Sequence, residues 1–171
     1  LKLAMNRKGI AQNEYEYDSN SDEYYNTSSG VPSGTYANNY AHSTIRKWLN
    51  ETFYNTAFSE LQKQIILTTT VDNSAATTDS STNQYACENT KDKIFLLSYQ
   101  DVINSNYGFS SRHSDYDTAR QKKSTDYAQS QGAYTSTSSS RADSGCWWLR
   151  SPSYGYSDCA YIVYYDGDAS S

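Results

Sequence analysis

Residues 146–152 read Cys-Trp-Trp-Leu-Arg-Ser-Pro, and this stretch says more about the fold than any other in the chain. Neighbouring side chains on a β-strand point to opposite faces, so Trp147 and Trp148 should cover the two sides of one strand. Pro152 has no amide hydrogen to donate, so the hydrogen-bond ladder of the strand should end there. The stretch therefore predicts a strand that is packed on both faces.

A second strand is predicted over Cys159–Tyr165, after a turn region at Pro152–Ser157. Asp166-Gly167 is a dipeptide typical of a hairpin turn, and the strand that should return from it is missing or barely started. We expect Cys146 and Cys159 to lie near each other on these neighbouring strands, whether or not they are bonded. Three separate reduced thiols, with Cys87 as the third, is the alternative.

Two helices are predicted upstream. Ser43 is a good N-cap, and Ile45, Trp48, Leu49 and Phe53 then follow at the spacing of one helix face. A second, short helix should start at Ser59, because Gln62 three residues later completes a capping box. The remaining predicted elements are strands at 1–10, 65–71 and 94–97, helices at 99–105 and 124–131, and loops at 13–40, 72–91, 107–122 and 134–144.

Composition limits the kinds of partner. A chain of 171 residues is most simply one domain, and its 18 Tyr residues can bury large areas although the hydrophobic fraction is only 36%. The net charge of −5 and the pI near 4.9 argue against nucleic acid as a partner. No apolar run approaches the length of a membrane span, and nothing in the sequence indicates an oligomeric state.

Taken together, these blocks resemble a bacterial domain family of unknown function that occurs in cell-surface and secreted proteins. The resemblance spans roughly residues 40–168. It is carried by Ser-Thr-Ile-Arg-Lys-Trp-Leu-Asn at 43–50, Asp-Lys-Ile-Phe-Leu-Leu-Ser at 92–98, Asp-Tyr-Ala at 126–128, Trp-Trp-Leu-Arg-Ser-Pro at 147–152 and the strand before Asp-Gly at 166–167.

The resemblance implies an α+β fold of the C-type lectin-like kind, similar to formylglycine-generating enzymes, with short helices packed on a small, twisted, mainly antiparallel sheet and many loops. It also implies an extracellular or cell-surface location. Because family members carry further strands at both ends, we expect residues 1–171 to be one domain truncated at both ends. The residues expected largely in the core are Trp48, Leu49, Phe53, Ile94, Leu96, Trp148 and Leu149.

The best candidate binding surface lies near the C-terminal strands. Its composition resembles that of antibody binding loops, in which Tyr supplies contact area and Ser, Gly and Asn supply adaptable polar contacts. Aromatic rings also suit the apolar faces of sugars, so the expected partner is a glycan or a protein. The candidate ligand-binding residues are Tyr154, Tyr156, Asp158, Tyr161, Tyr164, Asp166 and Asp168.

Other chemistry has weaker support. Arg150 could recognise an anion, but pairing with a structural acid or a buried carbonyl is the favoured interpretation. Asp158, Asp166 and Asp168 lack the spacing of a calcium loop, so we expect no metal and no cofactor. We also expect no enzyme activity, because the closely spaced Cys pair of formylglycine-generating enzymes is absent. The alternatives to a binding module are a structural spacer in a large surface protein and a degenerate relative of those enzymes.

Overall fold

The computed structural model describes residues 13–130 and 132–171, and these form a mixed α+β, loop-rich fold. The strands predicted at 1–10 lie outside the described residues. Within them the strands form three two-stranded sheets and one three-stranded sheet, all antiparallel. The strands are β1 (Tyr15–Asp18), β2 (Glu23–Asn26), β3 (Thr69–Val71), β4 (Thr90–Asp92), β5 (Lys122–Lys123), β6 (Ser144–Gly145), β7 (Trp147–Pro152), β8 (Ala160–Val163) and β9 (Ala169–Ser170).

The helices are short and most begin where the sequence predicts. The Ser43 hydroxyl accepts from the amide of Arg46, and Ser59 with Gln62 forms a complete capping box. The first helix continues through a π-helical turn at Leu49–Phe53, where the backbone is wound more loosely. The α-helices are α1 (Thr44–Trp48), α2 (Tyr54–Ala57), α3 (Glu60–Ile65), α4 (Tyr99–Val102) and α5 (Asp126–Ser130).

The three-stranded sheet has the order β7-β8-β9. Trp147 pairs with Val163 and Trp148 with Ile162, and β7 ends at Pro152 as predicted. Trp147 packs against a buried cluster that includes Val102, while Trp148 lines a groove on the other side. The strand is therefore contacted on both faces. The strand that returns after Gly167 is the two-residue β9.

Two buried clusters form the apolar core of the described residues. One combines Tyr40, Ile45 and Leu49; α1 supplies Ile45, and the π-helical turn that follows it supplies Leu49. The other joins Val102 of α4 to Leu149, Val163 and Ala169, so it binds one helix to all three strands of the sheet. Apolar burial of this kind is the main favourable contribution to folding.

Of the residues predicted for the core, Leu49 and Leu149 are buried, whereas the other five are only partly buried. Trp48 is half-buried and lies 5.1 Å from the ring of Phe53, so its indole covers the first cluster from outside. Removing that ring should therefore cost less free energy of unfolding than the loss of a fully buried Trp.

The prediction of an irregular loop over 13–40 is wrong, because β1 and β2 form a hairpin there. Tyr15 and Tyr17 alternate with acidic residues, and three of the four β1 residues are exposed. The hairpin carries partly exposed aromatic rings instead of buried aliphatic side chains, so the usual sign of a strand is missing.

The prediction of a strand over 94–97 is also wrong, since these residues carry no regular structure. The side chain of Asn50 accepts from the amides of Lys93 and Ile94, and donates to the carbonyl of Ile94 at 2.9 Å. A helix side chain thus satisfies backbone groups that a strand partner would otherwise satisfy.

Cys146 and Cys159 are not neighbours, contrary to the prediction. They precede β7 and β8 respectively, and these strands are antiparallel. The carbonyl of Cys159 accepts from the amide of Ser153, at the far end of β7 from Cys146. The two thiols therefore lie at opposite ends of the hairpin, too far apart for a disulfide.

Searching residues 13–130 and 132–171 for a membrane crossing yields no helix with the necessary length and apolar character.

Candidate functional site

The seven predicted site residues fall into three places. Tyr154, Tyr156 and Asp158 lie together in the turn between β7 and β8, and all three side chains are exposed. Tyr164 and Asp168 lie with Asp166 at the opposite end of β8, in the turn that leads into β9. With about 3.3 Å of rise per strand residue, the two turns are about 20 Å apart.

The carboxylates of the β8–β9 turn accept hydrogen bonds from groups in or next to the same turn. The carboxylate of Asp166 accepts from the amide of Asp168, and that of Asp168 accepts from the Ser170 hydroxyl. Within the described part of the chain, no group of three or more His, Cys, Asp or Glu side chains converges to hold a metal ion. This end of the sheet is shaped by turn hydrogen bonds.

Tyr161 faces the interior. Its ring meets that of Tyr99 at 4.8 Å between centroids, and it packs against the cluster beneath the sheet. Burial, together with a hydrogen bond to the carboxylate of Asp79, raises the pKa of the Tyr161 hydroxyl. Tyr161 is thus separated from the exposed tyrosines by the strand alternation of β8.

The β7–β8 turn packs on the first hairpin, which is more than 100 residues away in the sequence. The Ser157 hydroxyl accepts from the amide of Tyr24 at 2.8 Å, and the Ser157 carbonyl accepts from the amide of Asn38 at 2.9 Å. The side-chain amide of Asn38 donates to the carbonyls of Tyr156 and Cys159. Asn38 is buried, so these bonds fix the turn against the hairpin.

This contact places the exposed tyrosines of the first hairpin beside a turn that carries two further exposed tyrosines. The ring of Tyr24 lies 5.6 Å from that of Tyr15 and 5.0 Å from that of Tyr17. Tyr15 and Tyr17 are 49% and 46% exposed, and Tyr154 and Tyr156 are 52% and 63% exposed. We call these five residues the tyrosine face.

A groove of about 320 Å³ opens beside the tyrosine face. Tyr15 belongs to both and Asp158 lines the groove next to the turn that carries Tyr154 and Tyr156, while Ile45, Leu96 and Trp148 supply apolar walls. The volume is at the lower end of the range of small-molecule sites, about 300–1,000 Å³. The full lining comprises Asn13, Tyr15, Ala37, Asn38, Ser43, Ile45, Leu96, Trp148, Leu149, Asp158, Cys159, Ala160, Ile162 and Ser171.

The polar groups of the groove are few. None of the described lining residues is Lys, Arg or His, and Asp158 supplies a side-chain carboxylate. Burial, followed by the nearby Asp158 carboxylate, raises the pKa of the Cys159 thiol to about 11. That thiol is therefore protonated near neutral pH, and a protonated thiol is a poor nucleophile.

Arg150 is not available to an outside ligand. It is buried, and its guanidinium donates to the Asp101 carboxylate at 2.8 Å and to the Leu96 carbonyl at 2.8 Å. The favoured interpretation, pairing with an acid and a carbonyl, is confirmed. Arg46 also pairs with an internal acid, because its Nε donates to the buried carboxylate of Asp92.

Sequence reasoning missed Tyr15, Tyr17, Tyr24 and Asn38 as members of this region. The alternation of Tyr15 and Tyr17 with acidic residues was a usable sign, since a strand places both rings on one face. Nothing local pointed to Asn38, because its partners are in the distant β7–β8 turn.

Comparison with known domain families gives one finding. Residues 6–171 match the family described as "Domain of unknown function (DUF6273)". No match was found among curated proteins or among solved structures.

Proposed function

The chain belongs to the DUF6273 family of domains of unknown function, and we propose that it is an extracellular or surface-displayed module that binds a glycan or a protein. The tyrosine face is the proposed binding surface, with Asp158 at its edge. The location outside the cell is inferred from the resemblance of the Trp-Trp-Leu-Arg-Ser-Pro block to surface and secreted domains. The proposal assigns no catalytic role to any residue.

The observation that carries this proposal is the half-exposure of four tyrosines on two segments that are distant in sequence and are held together by partly buried hydrogen bonds. Tyr offers a large, rigid contact area at low entropic cost, which is why binding surfaces are rich in it. Ser153 and Gly155 between the rings add small residues to the turn. A preformed aromatic surface lowers the ordering cost of binding.

We further propose that the fold is of the C-type lectin-like kind. In its support, the small antiparallel sheet β7-β8-β9 lies at the C-terminal end of the chain, with α4 packed on β7 through Val102 and Leu149. Long loops separate the short helices, as the resemblance to formylglycine-generating enzymes implies.

One observation supports the degenerate-enzyme alternative, and two others disfavour it. Cys159 does line the groove, as that alternative requires of a thiol. Its raised pKa, and its distance along the sheet from Cys146, disfavour the paired thiol chemistry of that enzyme group. The spacer alternative does not account for the exposed rings.

The test is binding of the purified protein to an array of glycans and to an array of secreted proteins. We expect a retained ligand whose binding is lost when Tyr154 and Tyr156 are both changed to Ala. The matched control changes Tyr107 and Tyr116 to Ala, since these tyrosines are equally exposed but lie elsewhere. Failure to retain any ligand favours the spacer, and equal loss in both double variants contradicts the assigned surface.

A further inference from the structure

We infer that the groove beside the tyrosine face is a subsite for one ring of an uncharged saccharide. This inference rests on the proposed binding function and makes its ligand more specific. It depends on three features of the groove: an unused hydrogen-bond acceptor, the absence of cationic side chains, and aromatic walls.

The unused acceptor is Oδ1 of Asn38. Asn38 is 8% exposed, and its Oδ1 atom is buried without a hydrogen-bond partner in the described part of the chain. The orientation of the amide is determined, because Nδ2 donates to the carbonyls of Tyr156 and Cys159 at 2.8 and 3.1 Å. The unsatisfied atom must therefore be the oxygen. Buried acceptors rarely stay unpaired. Because this oxygen has no accessible surface, a ligand hydroxyl or N–H pairs with it only if the groove wall shifts to expose it.

The charges of the groove exclude anionic sugars. A carboxylated, sulfated or phosphorylated ring would need a cationic partner, and none of the described lining residues is Lys, Arg or His. The exposed carboxylate of Asp158 would also repel an anion at the groove mouth. A neutral hydroxyl can instead donate to that carboxylate.

The walls of the groove match the apolar side of a pyranose ring. Trp148 and Tyr15 present aromatic rings, and the C–H groups of a sugar carry the weak positive charge that an aromatic face attracts. Ile45 and Leu96 add aliphatic side chains to this lining. A peptide side chain would offer fewer hydroxyl donors for Asn38 and Asp158.

The experiment titrates the protein with methyl glucopyranoside, methyl galactopyranoside, methyl mannopyranoside and N-acetylglucosamine, followed by ligand-observed NMR and calorimetry. Glucuronate and sialic acid are the charged comparisons. We expect at least one neutral sugar to bind and both acids to bind at least about tenfold more weakly, a difference of about 1.4 kcal/mol. The inference is overturned if none of the sugars binds, or if the acids bind as tightly as the neutral sugars.

Two matched pairs of variants locate the binding. Tyr15→Ala removes a ring from the groove, whereas Tyr107→Ala removes an exposed ring that belongs neither to the groove nor to the tyrosine face. Asp158→Asn alters the groove, whereas Asp166→Asn alters the distant turn. We expect about tenfold weaker binding from Tyr15→Ala and Asp158→Asn, and less than about twofold from their controls.

The outcomes separate the two proposals. If the groove variants bind like their controls while the Tyr154/Tyr156 double variant loses its ligand, the groove inference fails and the tyrosine face stands. If no array ligand is found at all, the proposed function itself fails. Circular dichroism of each variant checks that it is folded. Because Tyr15 and Asp158 are exposed, we expect these substitutions to leave the fold unchanged.

Discussion

Arg120 shows at the scale of one residue how a charge can organise loops. It is completely buried, and its nearest carboxylate, that of Asp117, is 3.8 Å from Nη1. The guanidinium donates mainly to backbone carbonyls, which hold partial negative charge. Its acceptors are the carbonyl oxygens of Val102, Ser110, Arg112, His113, Asp115 and Gly167.

Replacing Arg120 with Lys should lower the free energy of unfolding by about 3–5 kcal/mol, as for other broken buried charge networks. An ammonium has three donors and cannot reach all of these carbonyls from one point. Arg112→Lys is the control, because its side chain is largely exposed and should change stability by less than about 0.5 kcal/mol. Urea unfolding measures both. Equal stability of Arg120→Lys and wild type would show that the network is dispensable.

Asp101 links one residue to the pH dependence of stability. Burial alone would raise the pKa of its carboxyl, but hydrogen bonds from the Ser98 backbone and from Arg150 outweigh burial and lower the pKa below 3.8. A lowered folded-state pKa means that this contribution to stability is present above about pH 4 and is lost as the pH falls through the folded pKa.

Asp101→Asn should therefore destabilise the protein by about 1.5–3 kcal/mol at neutral pH, the range for hydrogen bonds to charged groups. The difference from wild type should shrink below about pH 4, because Asp101 is then protonated in the unfolded chain and, below the lowered folded pKa, in the native state as well. Urea unfolding between neutral and acidic pH measures this. A difference that stays constant with pH would mean that the Asp101 charge does not matter.

At the scale of elements, the sequence predicted helix starts well and strands less well. Ser43, Ser59 and Ser98 all cap helices, because a cap is a contact between residues only three positions apart. The segment 94–97 is apolar, yet the side chain of Asn50 satisfies the backbone of Ile94, and Arg150 donates to the carbonyls of Leu96 and Leu97. Strand formation depends on a partner that may be far away in the sequence.

The β8–β9 turn offers a test of backbone geometry. Gly167 has φ of +88°, and a Cβ there would overlap the carbonyl oxygen of Asp117. Gly167→Ala should therefore lower the free energy of unfolding by at least about 2 kcal/mol, from strain plus overlap.

Gly155→Ala is the matched control in the β7–β8 turn, because a Cβ at Gly155 meets no atom within 4 Å. We expect its effect to stay within about 0.5 kcal/mol. Thermal and urea unfolding of both variants compare them directly. Similar stability of the two variants would mean that the β8–β9 turn relaxes without cost.

At the scale of the whole molecule, Asn38 joins the first hairpin to the C-terminal sheet. Asn38→Ala removes two hydrogen bonds and leaves the carbonyls of Tyr156 and Cys159 with one donor fewer. We expect a loss of about 1–3 kcal/mol in the free energy of unfolding. Asn106→Ala, in an exposed turn, should stay within about 0.5 kcal/mol.

Amide hydrogen exchange reports specifically on the contact between the first hairpin and the β7–β8 turn. In Asn38→Ala, faster exchange should appear in both β2 and the β7–β8 turn, because the Tyr24 amide donates to Ser157 across the same contact. If exchange quickens in one of these segments only, the two do not depend on each other.

The sequence by itself determined the α+β class, the helix caps and the β7 strand that ends at Pro152, because each depends on residues close together in the chain. It also placed Tyr154, Tyr156 and Asp158 in one turn. Only the tertiary structure decided which of the seven candidate residues lie at the same end of the sheet, and that the hairpin with Tyr15, Tyr17 and Tyr24 packs against their turn. The physical reason is that the deciding bonds, such as Tyr24 to Ser157, close loops of more than 100 residues and leave no local pattern.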